Sequence, residues 1–283
     1  MKKASGQGLK NSSNPQIVKP YINKVDRVFR PKKQLGQHWL RQKSVLNKII
    51  EAGELKKKDL VIEIGPGLGV LTAELAQKLE QVIAIEKDLS LIPILKTNLR
   101  EFKNVEIIGG DALKADFENF KGYKVIANLP YYAATPIIRK FLELENKPKL
   151  MVLMVQKEVA KRICSQPPDM TLLAVSVQIY AKAQIIGYVS KNAFWPKPKI
   201  DSAIIKLEPR NPELKFNKIL FFKIVKAGFS QPRKQLANNL ASRLKLSKEE
   251  TKNWLLKNKL RPDTRAESLS LENWLALVEA FAS

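Results

Sequence analysis

The chain has 283 residues, which is enough for one large hydrophobic core and a small second domain. Its 50 lysine and arginine residues outnumber its 27 aspartate and glutamate residues, and the formal net charge of +23 indicates a polyanionic partner, with nucleic acid as the first candidate. A generally lysine-rich proteome is the alternative explanation. The single cysteine, Cys164, excludes an internal disulfide and a thiolate metal cluster, and no apolar stretch is long enough to span a membrane.

Residues 1–30 differ in composition from the rest of the chain. They are rich in lysine, serine, asparagine and glutamine and have no apolar periodicity, so we predict a basic, disordered arm. A transit peptide is the competing interpretation, although the arginine-rich amphipathic spacing of such peptides is weak here. The N-terminus also has no apolar signal-peptide segment, and the cytoplasm is therefore the expected location.

Residues 31–208 show strands alternating with helices, a pattern typical of an α/β fold with a mostly parallel, doubly wound sheet. The first unit is an apolar run at 60–64, the turn Gly65-Pro66-Gly67-Leu68-Gly69, and a helical pattern over 70–79. This is the context of a nucleotide-binding loop, because glycine lets the backbone turn sharply beside a ligand. The G-x-G-x-G spacing differs from the G-x-G-x-x-G of dinucleotide sites, and a purely structural turn is the alternative.

Two acidic residues follow the next two predicted strands. Glu86 ends the strand at 82–85, and Asp111 follows the strand at 105–108. Ligands of open α/β sheets bind at the carboxyl ends of the strands, where an acidic residue can accept hydrogen bonds from ribose hydroxyls. We therefore predict a ribose contact for Glu86 and an adenine-amine contact for Asp111. Each carboxylate taken alone would also be compatible with a solvated loop or a helix cap.

Asn128-Leu129-Pro130-Tyr131 comes directly after an apolar run at 123–127 that predicts a buried strand. The amide oxygen of Asn128 and the carbonyl of Leu129 can both accept hydrogen bonds from the exocyclic amine of a base. Pro130 restrains the turn, and Tyr131 offers a ring for stacking. The motif favours a pocket for a planar base, and a simple strand-terminating turn is the alternative.

The ligand that these parts suit is an adenosine without a pyrophosphate, namely S-adenosylmethionine. The chain has no G-x-x-x-x-G-K-[ST] motif, which disfavours phosphoryl transfer. A nicotinamide dehydrogenase is opposed by the glycine spacing and by the motif at Asn128. Glu63, inside the first strand, could meet the methionine amine or could simply cap the strand.

The later part of the chain changes from strands to helices. Strands are predicted at 149–155, 183–189 and 202–207, and helices at 221–225, 236–244, 247–256 and 271–281. Ser247 and Glu250 have the spacing of a capping box. We therefore predict a small helical domain over residues 209–283.

A series of segments, spanning roughly residues 30 to 280, resembles the KsgA-type ribosomal RNA adenine dimethyltransferases. Besides the glycine turn and the Asn128 motif, the segments are Gln34-Leu35-Gly36-Gln37-His38-Trp39-Leu40, Ile85-Glu86-Lys87-Asp88, Gly110-Asp111-Ala112, Gln156-Lys157-Glu158-Val159-Ala160-Lys161-Arg162, Phe194-Trp195-Pro196-Lys197-Pro198-Lys199 and Arg265-Ala266-Glu267-Ser268. The resemblance implies a class I S-adenosylmethionine-dependent methyltransferase fold with a small C-terminal helical domain that binds rRNA. It also implies dimethylation of N6 on two adjacent adenosines near the 3′ end of small-subunit rRNA, in a precursor subunit, by a monomeric enzyme.

The resemblance also implies roles for individual residues. Contacts to S-adenosylmethionine are expected from His38, Leu40, Gly65, Glu86, Asp111 and Asn128. The target base is expected to be held by the catalytic group Asn128, Leu129, Tyr131 and Phe194.

The chain departs from the family pattern at several positions. Many members have Asn at position 38, Phe at 39 and Asn at 132, where this chain has His38, Trp39 and Tyr132. Pro232 replaces one arginine of a usual Arg-Arg-Lys run, a change that could weaken an rRNA contact without altering the pocket.

Two other functions are compatible with the same fold. One is a large-subunit rRNA or DNA adenine methyltransferase, which the Phe194 loop and the Arg265 segment disfavour. The other is a non-catalytic ribosome assembly or transcription factor that binds RNA. Intact Gly65, Glu86, Asp111 and Asn128 argue against lost catalysis.

Overall fold

The computed structural model describes residues 31–210 and 216–282, and the predicted arm at 1–30 lies outside them. Its strands are β1 (Trp39–Leu40), β2 (Leu60–Ile64), β3 (Gln81–Glu86), β4 (Val105–Gly109), β5 (Lys124–Asn128), β6 (Leu150–Gln156), β7 (Ala181–Val189), β8 (Phe194–Trp195) and β9 (Ser202–Pro209). Its α-helices are α1 (Lys43–Ala52), α2 (Val70–Ala76), α3 (Ile92–Asn98), α4 (Ala134–Glu143), α5 (Lys157–Ile163), α6 (Leu172–Gln178), α7 (Lys218–Gly228), α8 (Leu236–Leu244), α9 (Lys248–Lys257) and α10 (Leu271–Ala282). Within these described ranges, no helix is long and apolar enough to cross a membrane.

A seven-stranded sheet has the order β4-β3-β2-β5-β6-β9-β7, and β1 pairs separately with β8. The strands from β4 to β6 are parallel, whereas β9 runs antiparallel to both β6 and β7. The predicted α/β fold with a mostly parallel sheet is therefore confirmed. The strands predicted at 149–155, 183–189 and 202–207 correspond closely to β6, β7 and β9.

Helices cover both faces of the sheet, because successive side chains of a strand point to opposite faces. In β2, Val61 belongs to the same buried cluster as Leu46 of α1 and Leu71 of α2. Its neighbour Ile62 belongs instead to the cluster that contains Phe141 of α4. This arrangement is the double winding that the alternation of strands and helices predicts.

The helices from α7 to α10 share a third buried core, in which Trp274 is fully buried. The predicted capping box is confirmed, since the N–H of Glu250 donates to Ser247 Oγ at 3.1 Å and the N–H of Ser247 donates to the Glu250 carboxylate at 2.8 Å. Val175 of α6 belongs to the same core, so the helical part packs on the sheet domain. The division between residues 208 and 209 stays a prediction.

The order of the strands creates a crevice between β2 and β5. From β2 the chain builds β3 and β4 on one side, and it then returns to place β5 and β6 on the other. Ligands of open α/β sheets bind at such a switch point, beyond the carboxyl ends of the strands. Ile64, Glu86 and Asn128 end β2, β3 and β5, and because these strands are parallel their ends lie at one edge.

Candidate active site

A cleft of about 850 Å³ opens at this edge of the sheet. Most of the residues that the sequence indicates line it together, namely His38, Gly65, Glu86, Asp111, Asn128, Leu129, Tyr131 and Phe194. The exception is Leu40, which is buried in the wall of an adjoining cavity of about 340 Å³ that Gly65 and Asn128 also line. The structure thus brings six separate segments of the chain to one site.

The glycine turn after β2 needs glycine for two different reasons. Gly65 faces the cleft with a φ of +72°, in the left-handed region that other residues rarely adopt. Gly67 also has a positive φ, of +59°, and a Cβ there would lie 2.7 Å from the indole ring of Trp39. Trp39 therefore packs directly on the turn, a contact that the sequence did not reveal.

Glu86 is held by the backbone of two loops. Its Oε2 accepts from the N–H of Gly67 at 3.0 Å, and its Oε1 accepts from the N–H of Asp88 at 2.8 Å. Burial nevertheless raises the pKa of Glu86 above its ordinary value. The carboxylate is thus fixed in place at the rim between β2 and β3, facing the cleft.

Asp111 is held at the far end of the cleft by a cation. Its Oδ2 pairs with Lys87 Nζ at 2.9 Å, and its Oδ1 accepts from the N–H of Leu113 at 3.0 Å. The hydrogen bond from Lys87 holds the pKa of Asp111 below its ordinary value. Lys87 also lies 5.8 Å from the ring centroid of Tyr132, so these side chains close this end together. Sequence reasoning assigned no role to Lys87.

Asn128 has a defined orientation because its side-chain nitrogen is engaged. Nδ2 donates to the backbone oxygen of His38 at 3.0 Å. The hydrogen-bond partner thereby identifies which branch of the amide is nitrogen. Oδ1 occupies the other branch, which is the acceptor that the sequence predicts for the target amine.

The two aromatic residues of the predicted base pocket differ in their surroundings. Tyr131 shares a hydrogen bond of 2.7 Å with the buried Ser202 hydroxyl, and its ring lies 5.9 Å from the ring of His38. Burial raises the pKa of Tyr131. Phe194 lines the cleft but is only 5 % exposed and belongs to a core cluster. The stacking role of both rings stays a prediction.

Asp88 anchors the segment that precedes β1. The carboxylate accepts from Lys32 Nζ at 2.7 Å and from Gln37 Nε2 at 2.7 Å. Burial opposes ionisation, but hydrogen bonds from Lys32, Ser90 and Gln37 outweigh it and lower the pKa of Asp88. This anchor holds residues 35–39 along the cleft, and the sequence alone did not indicate it.

Comparison with known proteins shows which family the chain matches. Residues 28–283 match the family described as "Ribosomal RNA adenine dimethylase". The chain belongs to this family. Two curated relatives are both named "Ribosomal RNA small subunit methyltransferase A". The protein from Dehalococcoides mccartyi is 45 % identical over 88 % of this chain and 88 % of its own length, and the protein from Clostridium botulinum is 44 % identical over 91 % and 95 %.

Solved structures agree with this assignment to the family. A dimethyladenosine transferase from Plasmodium falciparum is 29 % identical, with a TM-score of 0.74 over 86 % of this chain and 97 % of its own. The 23S rRNA methyltransferase ErmE is 25 % identical, with a TM-score of 0.72 over 87 % of this chain and 100 % of its own. The predicted class I fold, methyltransferase activity and S-adenosylmethionine as methyl donor are confirmed.

One buried group fits the cationic end of S-adenosylmethionine. Glu63 is 2 % exposed, and its Oε2 has no hydrogen-bond partner among the residues that the structure describes. Glu63 is one of the residues that line the small cavity beside Gly65 and Asn128. Burial raises the pKa of Glu63 to about 8. A buried, unsatisfied carboxyl oxygen is costly on its own, and an ammonium group is the kind of partner that would offset this cost.

Proposed function

We propose that this enzyme dimethylates N6 of two adjacent adenosines near the 3′ end of small-subunit rRNA, in a precursor ribosomal subunit. The relatives with 44–45 % identity carry the name of small-subunit methyltransferases, whereas ErmE, named for 23S rRNA, is 25 % identical. The observation that carries the proposal within the site is the orientation of Asn128, whose oxygen is turned away from His38. We further propose that the enzyme acts as a monomer in the cytoplasm.

Different residues of the site would contact different parts of the cofactor. Glu86 would accept the ribose hydroxyls, Asp111 would accept the adenine amine, and Glu63 would face the methionine ammonium. Backbone groups of Gly65, His38 and Leu40 would line the same ligand. The arrangement supports this order, because Lys87 keeps Asp111 ionised at one end of the cleft, and Glu63 lines the adjoining cavity with an oxygen that has no hydrogen-bond partner among the described residues.

Positioning is the main task of the residues around the target base. Adenine N6 is a weak nucleophile because its lone pair is delocalised into the ring. Oδ1 of Asn128 and the carbonyl of Leu129 would each accept a hydrogen bond from one of the two N6–H groups. These bonds would favour a more tetrahedral nitrogen with its lone pair directed at the methyl group. S-adenosylmethionine supplies an electrophilic methyl group when it is bound. After attack, the positively charged N6 loses a proton to water, because the amide oxygen of Asn128 is too weakly basic to take it and acts only as a hydrogen-bond acceptor.

The adenosine must leave its base stack to reach this cleft, at a cost of roughly a few kcal/mol. Stacking on Tyr131 and Phe194 would offset this unstacking cost by about 1–3 kcal/mol for each ring. The hydrogen bond between the Tyr131 and Ser202 hydroxyls holds the first ring in place. Phe194 is restrained by the pairing of β8 with β1.

A lysine groove lies next to the Phe194 loop and suits the RNA backbone. It is lined by Lys157, Lys161, Lys191 and Lys199, together with Glu158 and Asp201. Lys157 also lies 5.1 Å from the ring centroid of the exposed Tyr188. Lysines beside an exposed aromatic ring are the pattern expected of a surface that holds phosphates and unstacked bases.

The decisive experiment is methyl transfer from labelled S-adenosylmethionine to small subunits isolated without these methyl groups. We expect label on two adjacent adenosines near the 3′ end of the rRNA, and none on naked large-subunit rRNA. Asn128→Ala serves as the inactive control. Label that appears only on large-subunit rRNA would refute the proposed substrate, and no label on any RNA would refute the proposed activity.

A further inference from the structure

We propose that His38 is a positioning residue that couples Asn128 to the loop carrying Phe194. Its backbone oxygen accepts from Asn128 Nδ2 at 3.0 Å, and its ring Nδ1 lies 2.6 Å from the backbone oxygen of Pro196. One residue therefore touches the acceptor for the target amine with its main chain and the base-binding loop with its side chain. The inference rests on the proposed function, because it assigns His38 a role in presenting the target base.

The partner of Nδ1 determines which ring nitrogen carries hydrogen. A backbone carbonyl can only accept, so Nδ1 of His38 must donate to Pro196. In the neutral ring this places the single hydrogen on Nδ1 and leaves Nε2 without one. The donor is also present in the charged ring, so the link to Pro196 does not depend on protonation of His38.

The link lies one residue pair beyond the backbone pairing of β1 with β8. Trp39 pairs with Trp195 and Leu40 pairs with Phe194, so the antiparallel register places His38 opposite Pro196. The bond from the Arg41 N–H to the Ala193 oxygen makes 41/193 and 39/195 the hydrogen-bonded pairs of this alternating register, so the backbone groups of His38 and Pro196 point away from each other. The His38 side chain bonds to the proline carbonyl instead.

Other contacts hold the rest of the pairing between β1 and β8, so the end at Pro196 is the part that depends on His38. Trp39 and Trp195 stack with ring centroids 5.4 Å apart, and the N–H of Arg41 donates to the Ala193 oxygen at 2.8 Å. These contacts hold the loop before and beside Phe194. His38 supplies the contact after it, at Pro196, where the chain turns toward Lys197 and the lysine groove.

Substitutions of His38 can separate the hydrogen bond to Pro196 from the size of the ring and from the backbone contact with Asn128. Asn carries Nδ2 directly on Cγ, as His carries Nδ1, so His38→Asn keeps a donor at nearly the same place. His38→Asp has the shape of Asn but presents a second acceptor to the Pro196 carbonyl. His38→Phe keeps a ring of similar size and has no donor. All of these variants retain the backbone oxygen that receives the Asn128 hydrogen bond.

The test measures four quantities for wild type and these three variants at about pH 8: kcat and KM for the small subunit, Kd for S-adenosylmethionine, and hydrogen–deuterium exchange of residues 191–200. We expect His38→Asn to remain within about threefold of wild type in kcat/KM, and His38→Asp and His38→Phe to lose about tenfold or more. Exchange of the loop should rise in the Asp and Phe variants, while Kd for the cofactor changes by less than about twofold.

Asn104→Asp is the matched structural control. Asn104 Nδ2 donates to the backbone oxygens of Ala76 and Leu79, at 2.8 and 2.7 Å, away from the cleft. Asn104→Asp makes the same change from donor to acceptor as His38→Asp, so it should lower Tm without raising loop exchange or KM for RNA. Equal losses in His38→Asn and His38→Asp, unchanged loop exchange, or a loss explained wholly by cofactor Kd would overturn the coupling role. Wild type that methylates no small subunit would refute the proposed function, and loop exchange would still decide whether His38 restrains the loop.

Discussion

Gly67 and Glu86 are joined by a hydrogen bond of 3.0 Å from the N–H of the glycine to Oε2 of the carboxylate. This bond connects the glycine turn after β2 with the end of β3, so the turn and the acidic residue form one unit. Since Trp39 packs on Gly67, the segment before α1 is attached to the same unit. A change at Glu86 should therefore affect both the shape of the turn and the affinity for the cofactor.

Glu86→Ala is expected to weaken binding of S-adenosylmethionine, because it removes a charge-assisted pair of hydrogen bonds worth about 1.5–3 kcal/mol each. Glu86→Gln retains one acceptor and the side-chain length, so its affinity should lie between those of wild type and Glu86→Ala. Calorimetry measures all three, and NAD should show no specific binding. Equal affinity in wild type and Glu86→Ala would exclude the ribose contact.

Asn128→Ala is expected to lower kcat by about 100-fold or more, because an oriented polar group that acts on the reacting atom is removed. Binding of the cofactor should be reduced only in part, and the fold should stay intact. Single-turnover methylation at saturating RNA and cofactor measures the effect. A variant with the turnover of wild type would show that the amide does not orient N6.

Phe194 variants separate stacking from packing. If the ring stacks on the target base, Phe194→Tyr should keep much of the activity and Phe194→Leu should lose about tenfold in kcat/KM for RNA. Cofactor affinity should be unchanged in both. If Phe194 acts only as a core residue, consistent with its 5 % exposure, activity should follow Tm in each variant whether or not a ring is present. Tm and methylation measured together decide between these outcomes.

Glu63 predicts a pH dependence of stability in the protein without ligand. Its folded-state pKa is raised by burial to about 8 from an ordinary 4.5. The contribution of the neutral carboxyl group to the free energy of unfolding is therefore complete below about pH 4.5, and it is lost as the pH rises through about 8. Glu63→Gln stays neutral, so its free energy of unfolding should exceed that of wild type increasingly with pH, by at most about 1.4 kcal/mol for each pH unit.

Denaturant unfolding at about pH 5 and about pH 9 tests this prediction for both proteins. The difference between Glu63→Gln and wild type should be small at the lower pH and larger at the higher pH. Saturating S-adenosylmethionine should reduce the advantage of the variant, because the ammonium group then stabilises the ionised carboxyl. A pH-independent difference would mean that Glu63 does not titrate in this range.

RNA binding should depend strongly on salt. For each phosphate that a variant no longer neutralises, the slope of log affinity against log salt should become shallower by about 0.7–0.9. We expect this reduction from Lys157→Gln and Lys199→Gln in the lysine groove, and from deletion of residues 1–30, whose placement lies outside the described structure. Lys57→Gln is the control, because Lys57 is exposed just before β2, at the edge of the sheet opposite the cleft. A slope unchanged by the groove variants and changed by the control would place the RNA elsewhere.

Much of the fold and of the site could be predicted because the signals are local. Apolar runs that end in a glycine turn, in Glu86 or in Asn128 specify strands whose carboxyl ends carry polar groups. Parallel pairing then brings those ends to one edge whatever the details of packing. For the same reason the capping box at Ser247 was predictable, since its partners are three residues apart.

The sequence by itself indicated the seven strands of the large sheet, the four helices of the C-terminal part, the residues at the strand ends and the family to which the chain belongs. Only the tertiary structure decided that His38 meets Pro196, which is 158 residues away, that Tyr131 meets Ser202, which is 71 residues away, and that Glu63 is buried with an oxygen that no described residue bonds to. These contacts depend on how the segment around β1 pairs with β8 and on which strands the sheet places side by side. Periodicity along the chain reports which face of an element is buried, but it carries no information about which distant residue packs on that face.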